Sequence, residues 1–383
     1  MKTLLTNARI ISDGTIADEK EVLIQDGTIL AVENSGCLTA DETVDLHGNY
    51  LAPGFIDLHC HGGDGYEFID GTEEAFLKAC AVHAAHGTRV IYPTISATDF
   101  STMYRVLETA EKVLPKCPIE IPGLHLEGPY LSPEMSGGQD PAYIKAPDAA
   151  EYEPLLERFG HLIARWTYAP ERDNGSFLTA LNRNRITASI GHSAARYDQI
   201  LPAYENGCRL VTHLYSCTST ITRQGGFRRM GIIESTYLLD DMYAEAIADG
   251  CHLPGDLLRL IVKLKGADRV CLITDAIRFA GVDSTEPLQG GTQSMPYIIE
   301  DGVAKLADRS AFAGSIATTD VLLKQSVQAG IPLTDVVKMM TQTPADIMRL
   351  KTKGRIVPGF DAQFTVFDKE FNICTSCRSA SLD

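Results

Sequence analysis

Two histidines one residue apart, in Phe55-Ile56-Asp57-Leu58-His59-Cys60-His61-Gly62-Gly63, close an apolar run that reads as a β-strand. Side chains alternate faces along a strand, so His59 and His61 share one side and Cys60 faces the other. Two imidazoles on one face at a strand end suit a divalent metal ion. Two solvent-facing histidines in a turn would show the same spacing. Glu127, in Leu124-His125-Leu126-Glu127-Gly128-Pro129, also ends an apolar strand. A carboxylate there is costly to bury unless paired or metal-bound, so Glu127 is placed to bridge or ligate a metal. His125 shares its face but lies deeper and reads as a packed core group. His192 in Gly191-His192-Ser193, His213 in Leu210-Val211-Thr212-His213 and Asp275 in Cys271-Leu272-Ile273-Thr274-Asp275-Ala276 each end a further apolar strand. His252 follows another, in Ala248-Asp249-Gly250-Cys251-His252, and is placed to reach a substrate. His47, His83, His86 and His161 fall in turns or helices without partners and read as structural or exposed.

The elements that must carry these groups alternate short apolar strands with longer helical patterns. Strands are expected over 54–59, 89–92, 123–126, 162–168, 187–190, 209–213, 243–247 and 270–273, with helices over 73–86, 101–113, 197–206 and 254–265 among the connections. Eight strands, each followed by a crossover, imply an α/β fold, a closed (β/α)8 TIM-like barrel, with the polar residues gathered at one end of the strands where such barrels place their sites. A doubly wound open sheet is the alternative, but no GxGxxG or Walker loop follows any strand. The first ~50 residues are instead short strands and turns, with Asp26-Gly27 between apolar runs as a hairpin signal. The segment around Gln363-Phe364-Thr365-Val366-Phe367 has the same character. Both chain ends are therefore expected to build one small β-sandwich domain, 1–52 plus 345–383, with a catalytic barrel over 53–344 inserted between them.

Apolar residues make up 44% of the 383 and charged residues 22%, an ordinary globular balance that predicts a sizeable core. The net charge of −16 argues against a nucleic-acid partner, which needs clustered Lys and Arg. No stretch approaches the ~20 apolar residues of a membrane span, and the N-terminus lacks the apolar core of a signal peptide. A cytoplasmic protein without membrane contact is expected. Its ten cysteines, irregularly spaced, are then expected to be reduced. Cys374 and Cys377 form a CxxC that no second CxxC completes into a zinc knuckle.

With these segments in view, the chain resembles the amidohydrolase superfamily and, within it, the N-acetylglucosamine-6-phosphate deacetylase family. The likeness starts at Leu51-Ala52-Pro53-Gly54-Phe55-Ile56-Asp57-Leu58-His59 and takes in the Glu127, His192, His213, His252 and Asp275 segments and Ala313-Gly314-Ser315. It closes at Gly354-Arg355-Ile356-Val357-Pro358-Gly359-Phe360-Asp361. It implies a barrel of the metal-dependent hydrolase type, with Glu127, His192 and His213 holding a catalytic metal and His59 and His61 a second. Asp275 is then the general base, and His252 contacts the far end of the substrate, its phosphate. One or two divalent ions are implied, zinc foremost, with Fe, Mn, Co or Ni as alternatives. The implied reaction is hydrolysis of the acetamide of N-acetylglucosamine 6-phosphate, or of a closely related N-acyl amino sugar, by a homodimer.

Three segments depart from the family pattern. Gln139 stands where the family has a histidine that helps polarise the carbonyl; it can donate a hydrogen bond but carries no charge. Tyr215-Ser216-Cys217-Thr218 replaces Phe-Asn-Ala-Met, the turn that grips the sugar phosphate, leaving Ser216 and Cys217 as the corresponding contacts. Arg223 is one position out of register with an arginine that pairs with phosphate, in some members across a dimer interface; Arg228 and Arg229 follow closely. Another amidohydrolase activity, D-aminoacylase or a dihydroorotase-like cyclic amidase, is the alternative, but the dihydroorotase type carries a carboxylated lysine where Glu127 stands. A barrel kept only for binding would have lost ligands or the base, and all six positions are filled.

Overall fold

The structure is a computed structural model that describes residues 1–283, 289–291 and 296–374. Cys377 and the last residues of the expected terminal domain lie outside the described residues. Eight strands form one parallel sheet in sequence order: β1 (Phe55–Cys60), β2 (Thr88–Ile95), β3 (Leu124–Glu127), β4 (Ile163–Tyr168), β5 (Thr187–Ile190), β6 (Leu210–Val211), β7 (Tyr243–Ile247) and β8 (Val270–Ile273). The sheet closes at its mouth, where Cys60 bridges Ala276 in parallel and the Asp275 amide donates to the His59 carbonyl at 2.9 Å. This is the expected (β/α)8 barrel. Every residue of β1, β3 and β8 is buried, which explains why these strands read as continuous apolar runs rather than as alternation.

Helices Glu73–Ala85, Phe100–Val113, Tyr197–Glu205 and Gly255–Lys265 fall where the periodicity places them. The first two start on side-chain caps, Thr72 accepting from the Ala75 amide and Asp99 from the Thr102 amide. The expected strand over 209–213 shortens to Leu210–Val211, because His213 turns into the left-handed region (φ 29°).

Two four-stranded sheets flank the barrel. One orders Thr28–Asn34, Lys20–Gln25, Lys2–Thr6 and Glu42–Asp45; the other orders Phe364–Phe367, Tyr50–Pro53, Arg9–Ser12 and Thr15–Ala17. The Asp26-Gly27 hairpin is present, both residues at positive φ (49° and 70°). Phe364–Phe367 runs antiparallel to Tyr50–Pro53, so the two ends of the chain share one sheet. Leu5, Ile10, Val22, Ile29, Leu51, Ile356 and Phe364 pack there in a cluster of their own. We propose the division at 1–52 plus 345–383 against 53–344 on that basis, although Ala345 and Ile347 pack beneath the barrel with Ile56 and Leu58.

A further antiparallel sheet, Gln289–Gly291, Pro296–Glu300, Val303–Leu306 and Phe312–Ser315, has no counterpart in the sequence reading. It hangs over the mouth, tied to the end of β8 by the Ser315 amide donating to the Asp275 carbonyl at 2.9 Å. Among the described residues no helix is long and apolar enough to cross a membrane.

Candidate active site

Strand ends bring His59, His61, Glu127, His192, His213 and Asp275 together at the barrel mouth, all buried. His192, His213 and Asp275 leave their strands through left-handed backbone, at φ 46°, 29° and 49°. Non-glycine residues pay ~1–3 kcal/mol for such conformations, and they concentrate at functional sites. Gly191 matters for a different reason: a Cβ there would come within 2.7 Å of both Thr167 and Thr212, so only glycine lets β5 pass between its neighbours just before His192.

Glu127 is the centre of the arrangement. Its Oε1 lies 3.1 Å from His192 Nε2 and 2.9 Å from His213 Nε2. The other oxygen, Oε2, lies 3.4 Å from His59 Nε2 and 3.2 Å from His61 Nε2. Asp275 Oδ1 faces that second pair, 3.3 Å from each Nε2. One carboxylate is thus shared between two histidine pairs, with a second carboxylate over one of them.

Three of the four imidazoles are oriented from behind. His61 Nδ1 meets Ser96 Oγ at 3.0 Å, His192 Nδ1 the Met135 carbonyl at 2.9 Å, and His213 Nδ1 the Ser216 carbonyl at 3.0 Å. A carbonyl only accepts, so His192 and His213 carry a proton on Nδ1 and offer Nε2 to whatever positive charge stands before Glu127, an ion or, without one, a proton. Imidazole nitrogens and carboxylate oxygens are the donors that Zn and its first-row neighbours take, and the ligand atoms of His59, His61 and Asp275 lie within 4.8 Å of one another, as do those of His59, Glu127 and His213. The residues fit one or two divalent ions.

The electrostatics agree. Burial alone would raise the Glu127 carboxyl, but the His59 and His192 rings outweigh it and hold it well below the usual carboxylate range. Burial opposes the charged form of His59, yet Glu127 and Asp275 raise it to about 10. The same contest takes His61 to about 9, through Asp275 and Glu127. Asp275, pushed up by burial, is pulled to about 2 by His59 and His61 and is ionised at neutral pH.

A cavity of about 530 Å³ opens above this cluster, within the usual size for a small-molecule site. Ser216, Cys217 and His252 line it, as expected. His252 is held by Asp249 at 2.7 Å and packs edge-on against Phe312. Gln139 also lines it, but both ends of its amide are engaged: Nε2 donates to Glu127 Oε2 at 2.7 Å and Oε1 accepts from the Ala97 amide at 2.7 Å. It holds Glu127, with one N–H left for a substrate. Arg223 does not line the cavity; it is exposed on the hairpin Thr222–Gln224 and Phe227–Arg229 beside Arg228 and Arg229. His125 lies beneath the cluster, bonded to Thr94 Oγ1 at 3.0 Å and Thr167 Oγ1 at 2.7 Å.

Several residues of the site carried no recognised signal in the sequence. Glu67, Tyr297 and Phe312 line the cavity, Glu67 pinned by Arg278 at 3.2 Å and by the Tyr297 hydroxyl at 3.4 Å. Arg165 and Glu245, both fully buried and paired with each other, lie below His59. A charged residue inside an apolar strand was the clue available for that pair.

A barrel with this strand-end constellation is the architecture of one hydrolase class, and the chain belongs to the amidohydrolase family, whose profile matches residues 50–381. More narrowly, it is similar to N-acetylglucosamine-6-phosphate deacetylases. It is 30% identical to the Mus musculus protein of that name over 98% of this chain and 94% of that one. Against the Lysinibacillus sphaericus protein the identity is 29%, over 96% of this chain and 94% of the other. The crystal structure of the Pasteurella multocida deacetylase superposes with a TM-score of 0.90 at 28% identity, covering 97% of each chain.

Proposed function

We propose that this chain hydrolyses the acetamide of N-acetylglucosamine 6-phosphate, or of a closely related N-acyl amino sugar phosphate, giving the amino sugar phosphate and acetate. The observation that carries the reading is the division of the Glu127 oxygens between two histidine pairs with Asp275 facing one of them. Glu127, His192 and His213 would hold one divalent ion and His59 and His61 a second, zinc foremost. Such an ion would supply Lewis acidity there, making water a stronger acid and drawing electrons from a carbonyl.

Asp275 is the general base. Being ionised, it accepts a proton from the attacking water as the water oxygen bonds to the acyl carbon. It then returns that proton to the nitrogen as the C–N bond breaks, because an amine leaves poorly as an anion. Gln139 keeps Glu127 in place and offers its remaining N–H to the acyl oxygen. His252, fixed by Asp249, faces the distal part of the substrate with Ser216 and Cys217.

Among the described residues, no Lys or Arg lines the cavity. The exposed Arg223, Arg228 and Arg229, beside Phe227 at 73% exposure, supply the missing cations if a second copy docks, which supports a homodimer. A phosphorylated substrate does not cross membranes unaided, which supports a cytoplasmic location. The test is acetate release from N-acetylglucosamine 6-phosphate and from the unphosphorylated sugar, with Zn, Fe, Mn, Co or Ni added. Release from the phosphorylated sugar well above the other is expected; release from neither, with every metal, would refute the reading.

A further inference from the structure

Of the four clustered imidazoles, His59 alone has no hydrogen bond at its rear nitrogen. Its Nδ1 is fully buried and unpartnered, with Glu245 Oε2 facing it at 3.6 Å, an ion-pair distance beyond hydrogen-bond reach. That same oxygen takes the His213 amide at 3.4 Å, and Oε1 is paired with Arg165. Arg165 in turn donates to the Leu58 carbonyl at 2.9 Å and to Ser189 and Thr212 hydroxyls at 3.1 Å. His61, His192 and His213 are backed by neutral oxygens; His59 is backed by an anion.

To give a lone pair from Nε2, a neutral His59 must carry its proton on Nδ1, and Glu245 is the facing acceptor. A carboxylate behind a ligating imidazole fixes its tautomer and makes it a stronger donor. Resting on the metal-site reading above, we infer that Glu245 is a positioning residue that makes His59 a competent ligand, and so determines whether the centre holds two ions or one. Arg165 is its counter-ion, tied in turn to β1, β5 and Thr212 just beyond β6. Were the pair only a strut in the barrel floor, removing either partner would loosen the fold and leave metal stoichiometry alone.

Zn uptake by the full chain separates these roles, read as ions per chain by mass spectrometry and as affinity by chelator competition, with thermal melting alongside. The variants are Glu245→Gln, Arg165→Met and the double Arg165→Met/Glu245→Leu, which leaves no orphaned buried charge and so is the best placed to fold. Two ions are expected in the wild-type chain. In the Glu245→Gln and double variants, the second ion should bind about 10–100-fold more weakly and the first within about twofold of wild type. Arg165→Met keeps the anion and should keep both ions. Two ions at wild-type affinity in a folded double or Glu245→Gln variant overturns the inference, as does a wild-type chain that takes only one. A wild-type chain that takes none overturns the metal-site reading itself.

Discussion

Buried histidines lie on both sides of β1, and the two sides treat them in opposite ways. Inward, His59 and His61 are raised to about 10 and 9 by the carboxylates around them. Outward, Cys60 meets His83 of the helix Glu73–Ala85, Sγ to Nε2 3.1 Å. There burial, only partly offset by a hydrogen bond to the Gly62 carbonyl, takes His83 down to about 4. Burial disfavours charge on both sides. What differs is the company: two carboxylates inside, a thiol and a peptide outside. A single strand thus separates raised histidines from a lowered one by alternation alone.

Asp275→Asn attacks the inner face hardest. We predict that kcat falls about 10²–10⁴-fold, the usual contribution of a general base, while the ions are retained; full turnover in this variant would remove Asp275 from the role.

The outer face makes a prediction of similar energetic size. His83 is depressed from 6.5 to about 4, so the unfolded chain binds its proton more readily than the fold does. Its contribution is therefore intact above pH 6.5 and lost as pH falls from 6.5 towards 4. At ~1.4 kcal/mol per unit this amounts to about 3 kcal/mol, visible as a falling denaturation midpoint that flattens in His83→Gln.

Metal loading sharpens the contrast. At pH 7 the raised rings of His59 and His61 are protonated in the metal-free chain, so binding must release protons. Zn affinity should drop by up to about tenfold for each unit the pH is lowered, per proton displaced, checked by calorimetry in buffers of different ionisation enthalpy.

Weaker effects are expected from the partners of the cluster. Gln139→Leu removes the donor to Glu127 and should lower metal affinity about tenfold. Arg223→Ala should leave stability within ~0.5 kcal/mol and raise KM about tenfold for the phosphorylated sugar only. Equal KM changes for both sugars would separate the hairpin from phosphate.

How much of this was legible follows from the same geometry. His59, His61, Glu127, His192, His213 and Asp275 stand at the ends of apolar strands, where period-two alternation and barrel closure fix their direction; the sequence pattern was enough to assemble them. Gln139 was legible as a site residue but not as the clamp on Glu127, since nothing local dictates a contact twelve residues back. Tyr297 and Phe312 come from a sheet whose strands, such as Pro-Tyr-Ile-Ile-Glu, have no clean alternation because one side faces the cavity. Arg165 and Glu245 sit mid-strand, and their pairing across the barrel depends on register that no local pattern reports.

The Phe55 amide, at the head of the strand that delivers His59 and His61, donates to Thr365 Oγ1 at 3.2 Å, across 310 residues of chain. During synthesis at ~5–20 residues per second, that partner emerges roughly 15–60 s after Phe55. The head of that strand therefore stays one hydrogen bond short until its distant partner has been made.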